Sequence, residues 1–187
     1  LFALSHPNAV SARGFPALAY IAFIPLFMLV RRVPLRTSWL WGGVYGVCSY
    51  CSFAYWLWAF HPLAIYIIGI AYFFIFLAIF PLLKLADLLF PRRGYIVQWM
   101  IWVGYEYLKT LGFNGYSYGI IGYSQWRWTS VIQIASLFGV WGVSALVVFP
   151  SVWIAACLNS GRSRLSNFVR TNSIPALLWV VAFASAI

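Results

Sequence analysis

Acidic residues are almost missing from this chain: of 187 residues only Asp87 and Glu106 carry a carboxylate, against twelve lysines and arginines. Charge of both signs together reaches 7%, where a soluble domain has roughly a quarter of its residues charged. So few charges cannot cover a water-facing surface, which excludes an ordinary soluble domain. Hydrophobic residues make up 64% and the mean hydropathy is +0.90, so lipid is the outer solvent and the chain reads as an integral membrane protein. Methionine is scarce too, at Met28 and Met100, with none at the start. The terminal apolar stretches "LFALSHPNAV" and "IPALLWVVAFASAI" are both shorter than the roughly 20 residues of a spanning helix. The expectation is a fragment cut inside a membrane segment at each end, from whose start no signal peptide can be read.

Cysteine and histidine are equally few. Cys48 and Cys51 lie one helical turn apart in an apolar run, and Cys157 lies near the end of another. A catalytic thiolate needs an electropositive, accessible setting, so these read as packing residues. "CSYC" has the spacing of a redox pair without the soluble helix start on which such a pair sits. His6 and His61 fall in different breaks, and no zinc-like ligand spacing is present. Phosphate loops, a Ser-His-Asp set and nucleotide fingerprints are missing as well, and no cofactor or metal is expected.

Long apolar runs fill the space these absences leave. They cover Phe15 to Val30, Trp39 to Phe60, Leu63 to Leu83, Tyr95 to Leu111 and Val131 to Leu158, with partial segments at Leu1 and Ile174. Backbone groups in hydrocarbon must bond within their own segment or within a closed barrel, and unbroken runs rather than period-two alternation favour helices. The fold class is therefore all-α. It reads as a polytopic transmembrane helix bundle with about five full spans and two partial ones, forming one domain over residues 1–187. "HP" at His61 and "PRRG" at Pro91 mark turns. Gly42 and Gly46, and Ala135 and Gly139, have the small-xxx-small spacing of close helix contacts. Pro25 and Pro150 are expected to kink their helices.

The cations set the orientation. Counting breaks alternately, Arg31, Arg32 and Arg36 share a side with Lys84, Arg92 and Arg93 and with Arg162, Arg164 and Arg170, leaving Arg13, Lys109 and Arg127 opposite. The positive-inside rule puts the rich side in the cytoplasm. The net charge of +10 thus describes topology and attraction to anionic headgroups, and no nucleic-acid partner is expected. "GFNGYSYGIIGYSQWRW", from Gly112 to Trp128, then faces outward. Its tyrosines and tryptophans suit the headgroup level, and its glycines let backbone bend, so it reads either as an interfacial belt or as a loop lining a cavity. Glu106 lies about 7 Å below the outer end of the preceding run. A carboxylate there costs up to ~2.5–3.5 kcal/mol, so it is expected to face protein or water. Trp99, Trp102, Glu106 and Lys109 share a helical stripe, and Glu106 with Lys109 is either an i,i+3 pair that eases insertion or part of a site. Asp87, beside the cytoplasmic break, reads as a solvated loop charge.

The stretch "GYEYLKTLGFNGYSYGIIGYSQ" resembles the part of bacterial apolipoprotein N-acyltransferases that reads, approximately, W-E-x-L-R-G, then G-F-P-W, then G-Y-S-Q. "IQIASLFGVWGVSALVVF" is similar to that family's following helix, and "YW" at Tyr55 and Trp56 to its earlier span. Lys109-Thr110 stands where the family has Arg-Gly, and Gly115-Tyr116 where it has Pro-Trp. The resemblance implies a multi-pass protein of the bacterial inner membrane that moves an acyl chain from a phospholipid to the N-terminal diacylglyceryl-cysteine of an apolipoprotein. It places the chemistry in an extracytoplasmic nitrilase-like domain with a Glu, Lys and Cys triad. No such domain lies in this sequence, so no catalytic residue is assigned and the fragment alone is expected to be inactive. What it implies here is a platform that lipids approach from the bilayer, with a lipid mouth formed by Trp102, Glu106, Lys109, Phe113, Tyr116, Tyr123 and Gln125. A lipid-binding scaffold, a small transporter, or a fusion to a polyprenol-phosphate glycosyltransferase stays open beside that reading.

Overall fold

Glycine and aromatic side chains bring the helices together. The computed structural model describes residues 1–111, 115–160 and 162–186, the side chains of 162–164 excepted. The described residues form α1 (Phe2–Ser5), α2 (Ile24–Arg32), α3 (Leu35–Phe53), α4 (Pro62–Leu89), α5 (Gly94–Leu108), α6 (Thr129–Ile132), α7 (Ala135–Asn159), α8 (Arg162–Thr171) and α9 (Ser173–Ala186). Three 3-10 turns join them, at Pro16–Ile21, Tyr55–Ala59 and Ile121–Gln125, and no strand occurs among these residues. The all-α class holds.

α3 and α4 pack closest. A Cβ on Gly42 or Gly46 would collide with the Phe76 or Tyr72 carbonyl of α4, so the small-xxx-small reading is correct for this pair. His61 caps α4, its Nδ1 accepting the Leu63 N–H at 3.1 Å, and Pro62 follows at a first-turn position where no amide is needed. Between α2, α4 and α5 lies an aromatic core. Trp102 packs 4.3 Å from Phe23 and 5.5 Å from Tyr105, and Phe76 meets both Trp102 and Tyr105. Outward-facing side chains are as apolar as the core: Leu63, Tyr66, Ile67, Ile70 and Phe74 of α4 are all exposed, as a lipid-facing surface requires.

α4 and α7 each have the length and apolar composition to cross a bilayer unbroken; α8 and α9 together make a third crossing if their 60° bend is counted as one span. The five full spans expected from the runs are thus not established, for local reasons. The Phe15 to Val30 run is divided into a 3-10 turn and the nine-residue α2. α3 carries Arg36, Thr37 and Ser38 in its first turns. α5 has 15 residues, about 22 Å at 1.5 Å per residue against a hydrocarbon core of ~30 Å.

The prolines and small residues of α7 behave unequally. Gly139 is no packing contact but a break, with φ 66° and ψ −175° inside the helix. Pro25 lies in the first turn of α2, where it costs no hydrogen bond and causes no kink. Pro150 is interior, and its missing N–H frees the carbonyl four residues back, at Leu146. The Trp179 indole of α9 donates to that carbonyl at 2.6 Å, and the Trp99 indole of α5 donates to its neighbour Ala145 O at 2.8 Å.

At the opposite end from the aromatic loop, Asp87 belongs to the last turn of α4 rather than to a solvated loop, because the helix runs on to Leu89. It pairs with Arg31 at 3.1 Å and Lys84 at 3.9 Å, and Lys84 also donates to the Arg31 carbonyl at 2.9 Å. The three cysteines are free: Cys48 is exposed on α3, while Cys51 and Cys157 are half-buried.

Candidate functional site

α5 ends directly beneath the aromatic loop, and its last polar residues reach up into the loop's backbone. Glu106 is fully buried, and its Oε1 accepts the Ile121 N–H at 3.1 Å. Lys109 Nζ donates to the carbonyls of Tyr118 at 3.2 Å and Gly119 at 3.1 Å, and to the Tyr50 hydroxyl at 3.4 Å. The ammonium also stands 5.3 Å and 5.5 Å from the ring centres of Tyr50 and Tyr105, whose hydroxyls share a hydrogen bond of 2.8 Å. Among the described residues the ion pairs are those of Asp87, so Glu106 and Lys109 are not paired with each other. Each holds the loop instead.

Other elements add anchors. Ser144 of α7 accepts the Gly122 N–H at 3.1 Å, and Gly122 sits so near α7 that a Cβ would fall 2.7 Å from the Val140 carbonyl. His6, in the connection after α1, lies with Nε2 3.2 Å from the Ile120 carbonyl. Its Nδ1 lies 3.2 Å from the Phe2 carbonyl and 3.1 Å from Ser5 Oγ, so the ring bridges α1 and the loop. Burial holds this imidazole below its ordinary pKa. Gln125 Nε2 donates to Pro16 O at 3.0 Å and to Ser124 Oγ at 2.8 Å. At Gly119 the chain turns with φ +72°, and a Cβ there would press within 3.2 Å of Tyr50 and Phe53.

The loop therefore has two edges. Ile120, Ile121, Ser124 and Gln125 are buried in the bundle, while Tyr118, Tyr123, Trp126 and Trp128 stand exposed. Of the residues expected at a lipid mouth, Glu106 and Lys109 bond the loop's backbone from α5, and Gln125 is buried within the loop on Pro16 and Ser124. Trp102 lies deeper, in the aromatic core. Tyr116 is half-buried, its ring 6.2 Å from Tyr72 and 5.2 Å from Tyr118, and Tyr123 is on the exposed edge. Phe113 lies outside the described residues. Glu106 Oε2, Trp102 Nε1 and the Tyr116 hydroxyl are buried without a hydrogen-bond partner among the described residues. Sequence reasoning missed His6, Tyr50, Tyr105 and Ser144. For Tyr50, Tyr105 and Ser144 the signal was a polar group inside an apolar run, which needs a partner there; His6 lies in a break and carried none.

The chain is similar to proteins named apolipoprotein N-acyltransferase. It is 46% identical over 185 residues to apolipoprotein N-acyltransferase 1 of Treponema denticola, covering 98% of this chain and 34% of that protein. The protein of the same name in Treponema pallidum is 50% identical over 149 residues, 79% of this chain and 27% of its own length. The Geobacter metallireducens apolipoprotein N-acyltransferase is 30% identical over 166 residues, 81% of this chain and 30% of that protein. The chain thus spans about a third of the length of these relatives. No solved structure matches it. The sequence profile described as the apolipoprotein N-acyltransferase N-terminal domain matches residues 1–153, a stretch that holds the clamped loop and every anchor named above, and the chain belongs to that family.

Proposed function

We propose that this chain is the membrane domain of an enzyme that transfers an acyl chain from a phospholipid to the free amine of an apolipoprotein's N-terminal diacylglyceryl-cysteine. The enzyme works in the bacterial inner membrane with the aromatic loop on the periplasmic side. In this reading a cysteine thiolate displaces the lipid alcohol from the ester carbonyl, and the acceptor amine then displaces the thiolate, leaving an amide. A Glu base and a charge-stabilising Lys complete that chemistry in a further domain. The cysteines here are unsuited to it: Cys48, Cys51 and Cys157 lie on the apolar helices α3 and α7. The platform role is supported above all by the clamped loop, whose backbone is fixed from below while Tyr118, Tyr123, Trp126 and Trp128 stay exposed to meet headgroups. Glu106, Lys109, Tyr116, Tyr123 and Gln125 hold or form this lipid mouth.

Reading the gene beyond Ile187 tests the assignment. A nitrilase-like domain with Glu, Lys and Cys is expected, and purified complete protein should acylate a diacylglyceryl-cysteine peptide in phospholipid micelles. A stop codon or an unrelated domain would overturn the reading. Glu106→Gln in the complete protein should lower that acylation more than it lowers accumulation in the membrane. Unchanged acylation with unchanged accumulation would leave the Glu106 charge outside the reaction.

A further inference from the structure

α8 differs from the rest of the bundle in direction and in composition. It turns 60° from α9 at Asn172, the residue between them. Its ten residues, RSRLSNFVRT, rise about 15 Å, half of a ~30 Å hydrocarbon core, so α8 does not cross a bilayer by itself. Three arginines in that length, without an acid, also make it costly to bury among acyl chains. A helix turned this far from a crossing neighbour of ordinary tilt runs nearer to the plane of the membrane than to its normal.

Its faces are unequal. Leu165, Phe168, Val169 and Asn172 follow at i, i+3, i+4 and i+7 and form one stripe. One edge of that stripe is fixed to the foot of α5: the Phe168 ring lies 5.9 Å from that of Tyr95, and the Tyr95 hydroxyl donates to Asn172 Oδ1 at 3.0 Å. Leu165 and Val169 are left exposed, as are Ser166, Asn167 and Arg170 on the other faces. Tyr95 follows the turn that exposes Arg92 and Arg93, so the anchored helix and a second group of cations stand at the same corner of the molecule. Among the described residues neither acid neutralises them: Glu106 is buried at the loop end, and Asp87 is engaged with Arg31 and Lys84. Just beyond the bend, Ile174 and Leu177 of α9 are exposed as a lipid-facing surface is, so a membrane already reaches this corner and a soluble partner would have to displace it. Apolar side chains beside uncompensated arginines complement a layer that has negative charge above hydrocarbon.

We infer that α8 is an interfacial helix at the basic end of the molecule, lying along the membrane surface with Leu165 and Val169 at the acyl boundary, and that with Arg170, Arg92 and Arg93 it binds the anionic phospholipid headgroups of that leaflet. This surface lies at the end opposite the aromatic loop, and its lipid binding is independent of the proposed function.

The test uses the complete protein with its thiols replaced and a nitroxide attached through Leu165→Cys or Asn167→Cys, in vesicles of phosphatidylcholine with or without phosphatidylglycerol. Power saturation reads collisions with a water-soluble nickel chelate and with oxygen, which concentrates in lipid. With phosphatidylglycerol present, the label at position 165 should meet oxygen more than nickel and the label at 167 the reverse. Without it, nickel accessibility at 165 should rise several-fold. Molar salt should act as leaving out phosphatidylglycerol does, because it shortens the reach of exposed charges to about 3 Å. Arg170→Gln, at an exposed position that leaves the apolar stripe intact, should lower the ratio of membrane-bound to free α8 about fivefold, the weight of one cation near an anionic surface. High nickel accessibility at both positions overturns the inference, since the face would then be free for a soluble partner. So does protection at 165 that is the same with and without phosphatidylglycerol, since the contact would then be hydrophobic alone.

Discussion

Gly119 turns the loop back into the bundle at φ +72°, with Tyr50 and Phe53 closing the space where a Cβ would go. Gly119→Ala is expected to cost about 1–2 kcal/mol for the left-handed backbone, plus the strain of moving one ring, read as a lower thermal midpoint in detergent. The anchors differ in kind. Glu106→Gln keeps an acceptor for the Ile121 N–H, whereas Ser144→Ala strands the Gly122 N–H at a cost of about 1–3 kcal/mol. Amide exchange at Gly122 should therefore speed up markedly in Ser144→Ala, while exchange at Ile121 stays slow in Glu106→Gln. Equal acceleration in both would mean that the loop is held by packing alone. Glu106 and Lys109 were legible in the sequence as charges in an apolar run. Their partners were not, because a backbone amide or carbonyl fifteen or ten residues away has no signature in side-chain identity.

A proline inside a helix does something that a proline at its start cannot. Pro25 and Pro62 occupy first turns and cost their helices nothing, whereas Pro150 leaves Leu146 O without its helical donor, and Trp179 supplies one. Trp179→Phe should loosen α9 by about 1–3 kcal/mol, since a buried carbonyl loses its partner. Pro150→Ala restores a helical N–H to that carbonyl, so Trp179→Phe should cost much less in the Pro150→Ala background. Thermal unfolding of the four proteins gives the coupling, and strict additivity would show that the indole and the proline are unrelated. The same α7 shows where pattern reading ends. Its apolar run marked a helix correctly, but Gly139 was read as a contact surface and is a break, because glycine serves close approach and positive φ alike. α2 fails for a similar reason: hydrophobicity fixes what faces lipid, and says nothing about whether the backbone is α or 3-10.

Charge is distributed over the molecule so that one end carries Arg31, Arg32, Lys84, Arg92 and Arg93 with Asp87 among them, while the loop end exposes Arg13 and Arg127. The loop's place at the headgroups depends on which side this loop end faces. In protein freed of its own thiols by Cys48→Ala, Cys51→Ala and Cys157→Ala, a cysteine at the exposed Ser117 should react with an impermeant thiol reagent added to intact spheroplasts. A cysteine at the exposed Ser173, at the start of α9, should react only after lysis. The reverse pattern would turn the molecule over and set the loop against the cytoplasmic leaflet. A periplasmic acceptor would then lie across the membrane from the loop, and the loop could not serve acyl transfer. Orientation thus decides whether the clamped loop can meet that acceptor.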